Sequence, residues 1–158
     1  MIRTRLLVPL AALLLLALAG PARAQTRIGE VDTTFRLVGR NDRVVIDRYD
    51  DPRVDGVSCY MSRAETGGVA GSFGLATDPN LFSIACRATG PVTVHGGDLP
   101  KNEVVFGEKM SPFFKVVRVS RLYDKDKRVL VYLVWSTITL GTGGAAFNSV
   151  TAVPLDTR

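Results

Sequence analysis

His95 is the one histidine in the chain, so proton transfer near neutral pH is sought there first. It stands in Val92-Thr93-Val94-His95-Gly96-Gly97-Asp98, where Asp98 could orient it as a general base. Nucleophilic catalysis would also need a Ser or Cys, and no G-x-S-x-G motif nominates one. Asp47, Asp50, Asp51 and Asp55 form a second cluster that could do acid–base work or hold calcium. Their spacing is not that of an EF-hand, and Arg48 and Arg53 sit among them. Solvated turn acids with local ion pairs are the plainer expectation. One histidine excludes multi-histidine zinc sites, so neither a metal nor another cofactor is expected.

The stretch Thr66-Gly67-Gly68-Val69-Ala70-Gly71-Ser72-Phe73-Gly74 invites a phosphate-loop interpretation. It lacks the G-K-[ST] of a P-loop, and its glycines are wrongly spaced for a dinucleotide turn. A loop needing positive φ or close backbone packing accounts for them. Asp50, Asp51, Ser62, Arg63, Thr66, Gly67 and Gly68 remain as the candidate binding surface, joining polar groups to a backbone that a ligand can approach. By alternation from Val57, Arg63 points inward, so either its strand ends early or Arg63 is buried against an acid such as Asp50 or Asp51.

The start of the chain bears on where this chemistry would happen. Arg3 and Arg5 precede an apolar run from Leu6 to Ala19, and Ala22 and Ala24 fit a small-x-small cleavage site. Gly20 and Pro21 break the run short of a membrane span. Residues 1–24 therefore read as a secretory signal peptide cut after Ala24, leaving residues 25–158 as one domain that works outside the cytoplasm without stable membrane insertion. Three arginines leave with the signal, so 17 Lys and Arg face 15 Asp and Glu, about +2. So small an excess gives no electrostatic case for nucleic-acid binding. In an oxidising compartment Cys59 and Cys86 are expected to pair. The 27-residue separation closes a loop worth about 3.5 kcal/mol. A redox-active pair is the alternative, although C-x-x-C spacing is absent.

Strand alternation positions these residues. Val31, Thr33, Phe35 and Leu37 share one face of a first strand, with a polar turn from Gly39 to Arg43. Val44 to Tyr49 forms a second strand, closed by Asp50-Asp51-Pro52, and Asp55-Gly56 signals another turn. Val57, Cys59 and Met61 share a face, as do Phe82, Ile84 and Cys86, though a short helix after Asp78-Pro79 would also suit the latter segment. Further strands are expected at 103–106, 113–123, 129–138 and 147–153, with a charged hairpin turn at 124–128 and a loop at 141–144. Both faces of 129–138 are apolar, which suggests a strand buried on both sides. From Lys101 to Arg128 eight Lys and Arg meet four acids; alternation puts Arg118 and Arg121 on opposite faces, so solvated edge charge is expected rather than one basic patch. The fold class is mainly β: a single-domain antiparallel sandwich or barrel-like fold with at most one or two short helices.

Tyr49-Asp50-Asp51-Pro52, Val57-Ser58-Cys59-Tyr60-Met61-Ser62-Arg63-Ala64 and Thr66-Gly67-Gly68 follow one another in the chain. Gly74-Leu75-Ala76, Ser83-Ile84-Ala85-Cys86, Gly90-Pro91, Glu103-Val104-Val105-Phe106, Tyr123-Asp124, Tyr132-Leu133 and Ala152-Val153-Pro154 come after them. In this order the stretches resemble the CreA family of exported bacterial proteins, over about Ile28 to Pro154. The resemblance implies a periplasmic protein and supports the disulfide; it implies no particular activity and carries over no catalytic residue. The leading expectation is a non-enzymatic envelope module that binds a small ligand or an envelope protein. The alternatives are a hydrolase-like enzyme using Asp50/Asp51 or His95, and a disulfide-based redox-responsive accessory protein. Intact-mass measurement of exported protein is expected to show a chain beginning at Gln25; an uncut chain held in the inner membrane would reject the signal peptide.

Overall fold

A computed structural model describes residues 25–68, 82–109, 115–138 and 147–155. The signal segment, most of the Gly-rich stretch, Asp78-Pro79 and the 141–144 loop lie outside them. All regular elements among the described residues are strands: β1 (Thr26–Asp32), β2 (Arg43–Asp50), β3 (Val54–Glu65), β4 (Phe82–Val94), β5 (Asn102–Lys109), β6 (Lys115–Asp124), β7 (Val129–Ile138) and β8 (Asn148–Pro154). They form two four-stranded antiparallel sheets, β1-β2-β3-β4 and β5-β6-β7-β8, each strand pairing with the next in sequence. This agrees with the fold class read from alternation. The segment around Ile84 and Cys86 is a strand, paired along its length with β3, and not a helix.

The sheets enclose one core. Val57, Cys59, Met61, Ile84 and Cys86 on one side meet Val117, Val119, Leu130, Tyr132, Val134 and Val153 on the other. Tyr49 of β2 stacks flat on Phe106 of β5, with ring centroids 4.2 Å apart. At one margin the Cys86 N–H donates to Thr151 Oγ1 of β8 at 3.2 Å, so the outer edge of β4 is partly satisfied by the other sheet.

Three local readings change. The first strand ends at Asp32, and residues 33–42 form a loop instead of continuing to Leu37. Leu37 and Val38 are adjacent and apolar, so strict alternation would put one of them in the core; instead both are exposed. Asp55-Gly56 is not a turn between strands but a bulge inside β3, where the register shifts between Asp55 and Val57. Gly56 has φ +74°, and a Cβ there would collide with the Pro91 carbonyl, so glycine suits the position on both counts. In β7, Leu130, Tyr132, Val134 and Ser136 are buried, but Val129, Val131, Leu133 and Trp135 are only half-buried. Among the described residues no second sheet covers that outer face; Trp135 donates its indole N–H to Ser120 Oγ at 3.1 Å and lies under the Arg118 guanidinium.

Cys59 and Cys86 sit directly opposite in the β3–β4 ladder, with Cα atoms 3.9 Å apart and sulfurs 1.99 Å apart, within bonding distance. Both are essentially inaccessible to solvent. Thiol titration of native exported protein should therefore find no free thiol, and replacing either cysteine should cost about 2–5 kcal/mol of stability. Two reactive thiols in fresh material would overturn the pairing.

Candidate functional site

β3 determines how the seven candidate residues are distributed. Asp50 and Asp51 precede it, whereas Ser62 and Arg63 lie near its far end and Thr66-Gly67-Gly68 follow it. Twelve extended residues span roughly 40 Å. The seven therefore do not make one surface, and the two ends do different work.

At the first end, Asp51 is buried between the sheets. Its oxygens accept two bonds from Arg121 Nη1 at 2.5 and 2.6 Å, one from the Tyr132 hydroxyl at 2.9 Å and one from the Arg53 N–H at 2.8 Å. The other Arg121 terminal nitrogen bonds Glu103, which also faces Arg53 at 3.6 Å. Burial, and then the Asp51 carboxylate, push the Tyr132 phenol far above its ordinary range, so it stays protonated and donates. The expectation of solvated acids fails here, as does that of solvated edge charge for Arg121, whose side chain is wholly buried. Parity explains both: Arg121 falls in line with Val117 and Val119, and a guanidinium there needs carboxylates. Asp50 remains at the surface, accepting from Ser58 Oγ at 2.7 Å and facing Arg48 at 3.4 Å. Ser62 lies on the outer face, bonded to Ser83 across the ladder at 2.9 Å.

His95 follows β4 directly, but Asp55, not Asp98, is its partner, 2.6 Å from Nε2. Both side chains of this pair are more than half exposed. The Asp98 carbonyl instead accepts from Arg53 at 3.2 Å. Of the clustered acids, Asp55 alone meets His95, at the surface, while Asp51 is saturated by other donors and Asp50 faces Ser58 and Arg48.

At the far end of β3, Arg63 does point inward, and the strand continues past it to Glu65. Its partners are Asp47 at 3.2 Å and Glu65 at 2.9 Å, not Asp50 or Asp51. Asp47 is fully buried on the row of Val45 and Tyr49, and it also accepts from Arg27 Nε at 2.5 Å. Arg43 binds Glu65 through two nitrogens at 2.8 and 2.9 Å and reaches Glu30 at 2.9 Å. Arg27, Arg43 and Arg63 thus neutralise Glu30, Asp47 and Glu65 in one lattice across β1, β2 and β3.

The 33–42 loop rests beside this lattice. Asp42 holds it: the carboxylate accepts from Arg36 Nη2 at 2.8 and 2.9 Å, from Thr34 Oγ1 at 3.1 Å and from the Gly67 N–H at 2.7 Å. The Arg36 guanidinium, and then the Gly67 N–H, hold the Asp42 carboxyl below its ordinary range. Its folded pKa is below the unfolded value, so this contribution to stability is present above about pH 3.8 and lost as pH falls through the folded value. The Gly68 N–H donates to the Arg40 carbonyl at 2.8 Å, and a Cβ on Gly67 would run into the same oxygen. The close backbone approach expected of Gly67-Gly68 is therefore made to this loop and not to a ligand.

So anchored, the loop still presents Phe35, Leu37 and Val38 at 82, 91 and 79% exposure. Beside them opens a polar cleft of about 330 Å³, lined by Glu30, Asp32, Phe35, Arg36, Arg40 and Arg43 among others. Arg40 is the least engaged cation of this lining, 59% exposed and 4.0 Å from Glu65. This loop is the candidate site that alternation concealed. The available signal was the Leu37-Val38 pair before Gly39, a break in the strand period.

Arg121→Met should cost about 3–5 kcal/mol, because it strands the buried Asp51. Arg63→Ala should cost about 3 kcal/mol, the low end of that range, because Asp47 keeps Arg27. Chemical denaturation measures both; an unchanged midpoint for Arg63→Ala would return Arg63 to the list of binding groups.

The chain matches the family described as CreA protein over residues 28–158. It is 39% identical over 145 residues to Protein CreA of Escherichia coli strain K12, covering 89% of this chain and 90% of that protein. Protein CreA of the O157:H7 strain matches with the same identity and coverage. No solved structure matches the chain. With the family matched across both sheets and the relatives over nearly their whole length, the chain belongs to the CreA family.

Proposed function

We propose that the protein is an exported, non-catalytic binding module of the cell envelope, cut after Ala24 and working in the periplasm, with the 33–42 loop as its contact surface. One observation carries this reading. The loop is held by a web of bonds centred on Asp42, yet its large apolar side chains face solvent. A loop that ordered itself only for stability would turn such groups inward, and ordered exposed apolar groups rimmed by polar ones mark contact sites. Preordering also lowers the entropy cost of binding.

The competing readings have less support. Asp51 is committed to Arg121 and Tyr132, and His95 is bonded to Asp55 and not to Asp50 or Asp51, the acids that the hydrolase reading needs. A redox role needs a disulfide that a thiolate can reach, and Cys59 and Cys86 are buried. The partner is a small ligand or a component of the envelope, since about +2 on the mature chain gives no draw toward nucleic acid.

Photocrosslinking in the cell tests the reading. A photoreactive residue at position 37 should yield discrete adducts, of protein or of lipid. The same residue at Lys125, exposed on the β6–β7 hairpin, should not. Equal or absent adducts at the two positions would overturn the loop as a contact surface.

A further inference from the structure

We infer that the partner of the 33–42 loop is the surface of an anionic phospholipid bilayer, with Phe35, Leu37 and Val38 seated in the interface and Arg36 and Arg40 at the phosphates. The inference rests on the loop being the contact surface, and it names what the loop contacts. The loop joins the end of β1 to the start of β2, so its apolar residues stand at the tip of a hairpin, beyond the paired strands. They are the three most exposed large apolar side chains among the described residues.

Charge selects the partner. Of the acids at this end, Asp42 has Arg36, Glu30, Asp47 and Glu65 share Arg27, Arg43 and Arg63, and Asp32 accepts from the Asn41 amide. Arg40, 59% exposed, and Arg36, 41% exposed, flank the apolar tip. Across 33–42 the loop carries these two arginines and one acid, Asp42, which binds Arg36 and leaves Arg40 as the less engaged cation. Apolar groups at a tip with guanidinium groups beside them match the layering of a bilayer surface, acyl carbons below and phosphates above. A guanidinium can also bind phosphate through paired N–H donors. The cleft beside the loop is lined with charged groups and offers the tip of a second copy no apolar seat. Three apolar side chains give reversible, peripheral contact, consistent with the expectation of no stable insertion after signal cleavage.

Sedimentation of residues 25–158 with vesicles tests this. Binding to phosphatidylcholine vesicles containing phosphatidylglycerol is expected, with weaker binding to phosphatidylcholine alone. Leu37→Ser should weaken binding about tenfold or more, and Arg40→Glu about fivefold or more, the latter only on anionic vesicles. Both positions are exposed, so melting temperatures should stay unchanged, and Val150→Ser on β8 should bind as the parent does. No binding to anionic vesicles, or equal binding by Leu37→Ser, would overturn the inference. Saturable binding of inorganic phosphate at matched ionic strength, without vesicle binding, would overturn it in favour of a free-anion site. If vesicles fail while position 37 crosslinks a protein in cells, the bilayer is rejected and the contact loop stands; if position 37 gives no adduct, the loop itself falls.

Discussion

A carboxylate buried between two sheets must meet cations and donors, and Asp51 obliges the rest of the fold to supply them. It sits in the short turn between β2 and β3. Arg121 comes from β6, Tyr132 from β7, and Glu103 of β5 closes the far side of the guanidinium. Hydrophobic contact alone is non-directional and would tolerate sliding; a paired buried charge does not, because displacement leaves it unsolvated. The net energy of such a pair is small, so we assign it the role of fixing how the sheets dock rather than of stabilising them.

That docking sets the rest of the molecule. With the sheets locked near the β2–β3 turn, the row Tyr49, Cys59 and Cys86 lies under the second sheet. The same inward faces run on to Asp47, Arg63 and Glu65, where the core gives way to charge. The Arg27–Arg43–Arg63 lattice closes this end with ion pairs in place of apolar packing. The 33–42 loop and the Gly67-Gly68 backbone are built on the lattice, so the exposed tip stands on a firm base. The buried pair, the lattice and the loop thus follow one another along β2 and β3.

The cysteines belong to the same plan. They join β3 to β4 at a directly opposed pair, in the row that carries Met61 and Ile84. β3 is paired on both sides, and its two ends support the two charged clusters. Fixing it to β4 near its middle limits fraying at both.

Much of this was legible along the chain. Alternation placed Val57, Cys59, Met61, Ile84 and Cys86 inward, predicted the all-antiparallel class, and pointed Arg63 into the core, because side-chain direction in a strand is a local property. The same parity aligns Asp47 with Val45 and Tyr49, and Arg121 with Val117 and Val119, yet charge alone led to the expectation that both are solvated, and the structure buries them. What alternation could not tell is which charges meet. Arg63 finds Asp47 and not Asp50 or Asp51, Asp51 finds Arg121 70 residues away, and His95 takes Asp55 over Asp98. Partner choice depends on strand register, on the bulge at Gly56 and on how one sheet lies across the other. The β1–β2 loop shows the same division: its apolar residues were plain in the sequence, but their exposure follows from Asp42, Arg36 and Gly67 closing the loop before those residues could join a strand.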